Sequence, residues 1–74
     1  MRYPDSETVK RIRREYPQGT RIELVEMDDP QSPPPGTRGT VLYVDDTGTI
    51  FPKWDSGGGL GLVYGKDKYR EITE

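Results

Sequence analysis

The chain contains no cysteine and no histidine among its 74 residues. Disulfides, thiolate nucleophiles, imidazole acid–base catalysis and the usual zinc sites are excluded together. There is only one tryptophan and one phenylalanine, beside five tyrosines. No apolar run comes near the roughly 20 residues that a membrane-crossing helix needs. The opening MRYPDSETVK lacks the apolar stretch of a secretory signal. Hydrophobic residues make up only 30 % of the chain, enough for one small core near the lower size limit for unaided folding. These absences predict a cytoplasmic, non-enzymatic domain with no cofactor and no metal, because no nucleophile–base pair can be assembled from what remains.

What is present is glycine, proline and charge, with nine glycines and seven prolines. The net charge of −2 is unevenly placed. Residues 1–20 hold five basic side chains against three acidic ones, and residues 21–74 hold six against ten. The acidic body argues against a broad phosphate-tracking surface, since counterion release needs clustered Lys and Arg. The basic N-terminal segment leaves that possibility open locally.

Two parts are expected: a basic helix within residues 1–18 and a β-rich body over residues 19–74. Residues 5–16 read as the helix, with Asp5 or Ser6 as its cap and Glu7 at the positive end of its dipole. Val9, Ile12 and Tyr16 form a narrow apolar stripe. So short a helix is marginal alone in water, so the stripe is expected to dock on the body. Residues 21–27 alternate as a strand until Val25 and Met27 break parity, which predicts a bend or bulge. Residues 28–36, DDPQSPPPG, form a stiff proline-rich loop. Strands are then expected over 39–45, 49–55, 60–64 and 69–72, joined by turns at 45–48 and 56–59. The run from Val41 to Val44 is apolar on both faces, as in a central, coiled strand. Pro52 cannot donate to a ladder and marks an edge or bulge in its strand. The whole describes a mainly β fold, a small five-stranded SH3-like barrel with a short N-terminal α-helix. An OB-like barrel is the competing layout.

The sequence YPQGTRIELVEMDDP, followed by PGTRGTVLYVDDTGTIFPKWDSGGGLGLVYGKDKYREI, resembles a small uncharacterised domain family of bacteria, phages and mobile elements. The resemblance rests on GTRGTV, VDDTGTI and WDSG and spans residues 16–72. Phe51-Pro52 departs from the family pattern, which has a polar residue and then a β-branched one. A looser similarity, through Gly39-Thr40-Val41, Trp54-Asp55-Ser56-Gly57 and Gly65-Lys66 to Tyr69, is to Mib–Herc2-type modules. That similarity implies an SH3-like fold that binds protein ligands. The setting of the first family implies a third role, an accessory protein that inhibits a host nucleoprotein, its acidic body imitating nucleic acid.

The candidate site residues follow from strand parity. Trp54 shares a face with Ile50 and reads as core, whereas Phe51 and Lys53 lie on the opposite face. Phe51, Lys53, Tyr43 and Pro34 are the expected contacts for a protein partner, around the proline-rich loop and the glycine turn. Lys10, Arg11, Arg13 and Arg14, joined by Arg2 and Arg21, are the alternative, a nucleic-acid contact. Asp28, Asp29, Asp45, Asp46, Asp55 and Asp67 fall at strand ends and turns, where Asp accepts from backbone amides, and they lack calcium-loop spacing. Glycines 57, 58, 59 and 61 precede a strand, not a helix, so they read as a hairpin rather than a phosphate loop. The run Pro33-Pro34-Pro35 has no flanking basic residue at ligand spacing and reads as a rigid loop.

Overall fold

The computed structural model describes residues 5–73. Helix α1 runs Ser6–Glu15. Asp5 caps it, its Oδ1 accepting from the Thr8 amide at 2.8 Å. The helix closes where the Tyr16 amide donates to the Ile12 carbonyl at 2.9 Å and Pro17 follows. Val9 and Ile12 are buried, and Ile12 joins the main core. The apolar stripe therefore docks as its spacing predicts.

Four strands follow: β1 (Arg21–Glu26), β2 (Arg38–Val44), β3 (Ile50–Trp54) and β4 (Lys68–Glu71). They form one antiparallel sheet in the order β3-β2-β1-β4. One face carries Ile22, Leu24, Val41, Val44, Ile50 and Trp54, all buried, and α1 and Leu62 complete the core over it. Tyr16 and Tyr69 flank this core and meet edge-on, with ring centroids 5.5 Å apart.

Two bulges shape the sheet. The register of β1 against β4 shifts between Leu24 and Glu26, where the sequence alternation breaks. A second shift lies in β2 between Val41 and Tyr43. β2 lies between β3 and β1, the central position its apolar run predicts, and the bulge is what divides that run between the two faces. The extra residue turns Leu42 and Tyr43 outward together and returns Val44 to the core.

The expected five strands reduce to four. Residues 60–64 give a single bridge, Ile50 with Leu62, in which each amide donates to the other's carbonyl. The next pair of that ladder would be Pro52 with Leu60. Pro52 has no N–H, so the ladder stops after one rung. The sheet is an open one of four strands with residues 60–64 laid beside β3.

Close packing explains one glycine in β2. A Cβ on Gly39 would sit 2.9 Å from Trp54 Cε3 and 3.0 Å from the Lys53 carbonyl oxygen. Only hydrogen fits between the strand and the tryptophan ring lying across it.

Candidate functional site

The structure divides the expected contact residues between two surfaces. The first is a cleft of about 400 Å³. Gln31, Pro33 and Pro34 of the proline-rich loop form one wall, and Ser56, Leu60 and glycines 57–59 form the other. Trp54, 2 % exposed, lines its floor.

Local chemistry fixes both walls. The loop is stiffened by Asp29, which accepts from the Gln31 amide, and by Thr37, whose hydroxyl donates to the Pro34 carbonyl at 2.6 Å. On the other side the Gly57 amide donates to the Trp54 carbonyl, and the Trp54 amide to the Gly58 carbonyl. Gly57 and Gly58 have φ of 99° and 85°, a region that side chains disfavour. The amides of Gly58 and Gly59 have no hydrogen-bond partner among the described residues. The lining carries no charged side chain. Such a cleft offers an apolar floor, proline rings and two backbone donors.

The second surface is the sheet face opposite the core. Here Tyr43 stacks on Phe51 with centroids 4.9 Å apart and planes 19° from parallel. Phe51 is half-buried, because Gly61 lies against its ring. Lys53 stands two residues further along β3, exposed, with no ion-pair partner among the described residues. Tyr43, Phe51 and Lys53 are thus brought together, and Pro34 is not among them.

The same face holds residues that sequence reasoning did not single out as a group. Arg21 makes a two-pronged contact with Asp55 at 2.7 and 2.9 Å and donates to Thr40 Oγ1. This bonding to Arg21 holds the Asp55 carboxyl below the usual carboxylate range. Glu23 lies between Arg70, 2.9 Å away, and Arg38, 3.5 Å away. Parity marks Arg21 and Glu23 as outward, but the register that sets Arg38 and Arg70 beside Glu23 depends on the loops between strands.

The helix cations are spent differently from one another. Arg13 donates to the Val44 carbonyl at 3.2 Å and to Asp46 at 2.8 Å, tying α1 to the β2–β3 turn. Arg11 bonds the Tyr64 hydroxyl and lies over its ring, 5.8 Å from the centroid. Lys10 faces Glu7 at 3.8 Å, and Arg14 has no ion-pair partner among the described residues. Arg2 lies outside the described residues.

The aspartates largely do turn work. Asp45 accepts from the Thr47 amide and hydroxyl and from the Thr49 amide. Burial opposes its charge, but these bonds and nearby Arg13 outweigh it and leave the carboxyl below its ordinary value. Asp67 accepts from the Val63 amide at 2.8 Å. Among the described residues no three acidic side chains gather as a metal site would require. None of their helices is long and apolar enough to cross a membrane.

The profile of the family DUF4314, a domain of unknown function, matches residues 5–72. No curated protein matches the chain. The match takes in α1 and all four strands, so the chain belongs to this family.

Proposed function

We propose that this DUF4314 member is a non-enzymatic protein-interaction module of SH3-like organisation, holding an extended peptide segment in the cleft between the proline-rich loop and the glycine turn. The observation that carries the reading is the cleft itself, about 400 Å³ with an uncharged lining and Trp54 at its floor. Its prolines present flat apolar rings. The amides of Gly58 and Gly59, unpartnered among the described residues, supply donors to a bound main chain. The long loop between β1 and β2, and residues 60–64 lying against β3, support the SH3-like organisation.

The ligand this favours is a short, uncharged, extended segment carrying an apolar side chain for the space above Trp54. Charge steering is absent from the cleft, so affinity should be modest and little affected by salt. The test is to pan a displayed library of random peptides and map the selected peptides by amide chemical shifts. The expected result is that the Gly58, Gly59 and Trp54 indole resonances move most, and that Pro34→Asp abolishes the shifts. Selected peptides that leave those three resonances unmoved would overturn the assignment.

A further inference from the structure

The large hydrophobic side chains left exposed among the described residues are not scattered. Three of the five, Leu42, Tyr43 and Val63, gather around Phe51 at one corner of the outer sheet face. Leu42 and Tyr43 arrive there through the bulge in β2. Val63 arrives through the Ile50–Leu62 bridge, which sets Gly61 opposite Phe51 and Val63 opposite Thr49. Tyr43 rests on Phe51, so its ring is held in place while 55 % of the residue meets solvent. Single exposed hydrophobics are ordinary, whereas a cluster built on an aromatic stack marks a contact surface. Lys53 borders the cluster, two residues from Phe51 on the same side of β3, a step of about 7 Å. The neighbouring charges are already matched, Arg21 by Asp55, and Arg38 and Arg70 by Glu23. Lys53 is the cation at this corner with no anion among the described residues.

We infer that this corner docks an amphipathic acidic helix of a partner protein, whose apolar side chains cover Tyr43, Leu42 and Val63 while a carboxylate meets Lys53. The charge left over names the partner's chemistry: one anion beside an apolar stripe. The sheet names its form. Backbone donors and acceptors of β2 and β3 lie in the plane of the sheet, so the face offers side chains alone. An extended segment laid across it would leave its own N–H and C=O groups unmet, whereas a helix satisfies them internally. On a helix, residues three or four apart stand about 5–6 Å from one another, close to the step from Phe51 to Lys53. Tyr43 already rests on Phe51, so little freedom is lost when a partner covers it. A second copy of the same corner fits less well, because it would bring another Lys53 and no free carboxylate. The surface is separate from the cleft, since Trp54 and Phe51 point to opposite sides of β3. It is also open to a helix from outside, because α1 packs on the other side of the sheet.

The test titrates the intact, isotope-labelled chain at low salt with a capped, alanine-based helical peptide of about 15 residues. One face of the peptide carries leucines at i, i+4 and i+7 and a glutamate at i+3; in a control peptide lysine replaces the glutamate. The amide resonances of Leu42, Tyr43, Phe51 and Gly61 are expected to move most, with the glutamate peptide binding about two- to fivefold more tightly than the control, as one exposed ion pair allows. Tyr43→Ala should weaken binding by roughly fivefold or more, the loss of a central aromatic contact. Lys53→Ala should erase the preference between the peptides and Lys53→Glu should reverse it, a readout that does not depend on the Tyr43 variant. Pro34→Asp should change nothing. Unaltered Trp54 fluorescence would show that the variants are folded. Absence of binding, equal binding of both peptides by the wild type, or a loss with Pro34→Asp would each overturn the proposal. So would sedimentation showing a dimer that Tyr43→Ala dissolves, since the occupant would then be a second copy.

Discussion

The indole N–H of Trp54 donates to the Leu60 carbonyl at 3.0 Å, filling the place of the backbone donor that Pro52 lacks. Leu60 lies opposite Pro52 in the frame set by the Ile50–Leu62 bridge. A tryptophan two residues further on supplies the missing hydrogen bond from the side. This one bond joins the core, the glycine turn and the cleft.

Its removal should be costly. Trp54→Phe leaves the Leu60 carbonyl without its donor, a loss of about 1–3 kcal/mol on top of the packing change. Urea unfolding measures it. In a Pro52→Val background, where a backbone N–H returns, the loss from Trp54→Phe should shrink. Equal losses in the two backgrounds would show that Pro52 and Trp54 are not coupled through Leu60.

Gly39→Ala should destabilise by about 1–3 kcal/mol, because a Cβ there meets the buried Trp54 ring and a backbone carbonyl together. Gly61→Ala should cost less. Its nearest obstacles are the Thr49 methyl and the Phe51 ring, and both belong to the outer face. Thermal unfolding of the two variants ranks them, and the reverse order would refute this account of β2.

The helix contributes through its apolar stripe. Ile12→Ala should cost about 2–5 kcal/mol, a large share of the stability of so small a domain. Arg13→Ala removes contacts that are largely exposed and should cost no more than about 1 kcal/mol. If denaturant titration shows Ile12→Ala to be neutral, α1 is an appendage and not part of the core.

Acid should weaken the fold from about pH 4 downward. The carboxyls of Asp5, Asp45 and Asp55 all lie below their ordinary value of 3.8 in the folded chain. For Asp5 the cause is first its bond from the Thr8 amide. The unfolded chain therefore takes up protons before the folded one, and their stabilisation is lost as pH falls through the folded values. Urea midpoints measured from pH 6 downward should drop, and less so for Asp45→Asn once its own initial cost is subtracted. A flat profile would contradict the capping roles of these groups.

Much of the fold was readable along the chain because its signals are local. Asp5 as cap, the Val9–Ile12–Tyr16 stripe, the break after Leu24 and the proline in β3 each act within a few residues. The missing strand had its cause in view at Pro52, but its extent depended on what Leu60 would bond instead. The outer face was hidden for another reason. Averaging charge over residues 21–74 makes the body acidic, whereas strand register sorts Arg21, Arg38, Lys53, Lys68 and Arg70 to one side and leaves most carboxylates at turns and loops. Register across the loop of residues 27–37 between β1 and β2 is not written in any local pattern. The same limit separated Pro34 from Phe51, which share no face.

Pro52 has a consequence for the molecule in a crowded solution. The outward edge of β3 offers Ile50, already bonded both ways, then a residue with no donor, then Trp54, whose amide and carbonyl are taken by the glycine turn. A strand from another copy arriving at this edge finds no ladder to extend, so edge-to-edge aggregation and strand exchange are closed off there. The residue that cuts the domain's own hairpin short also keeps foreign strands from completing it.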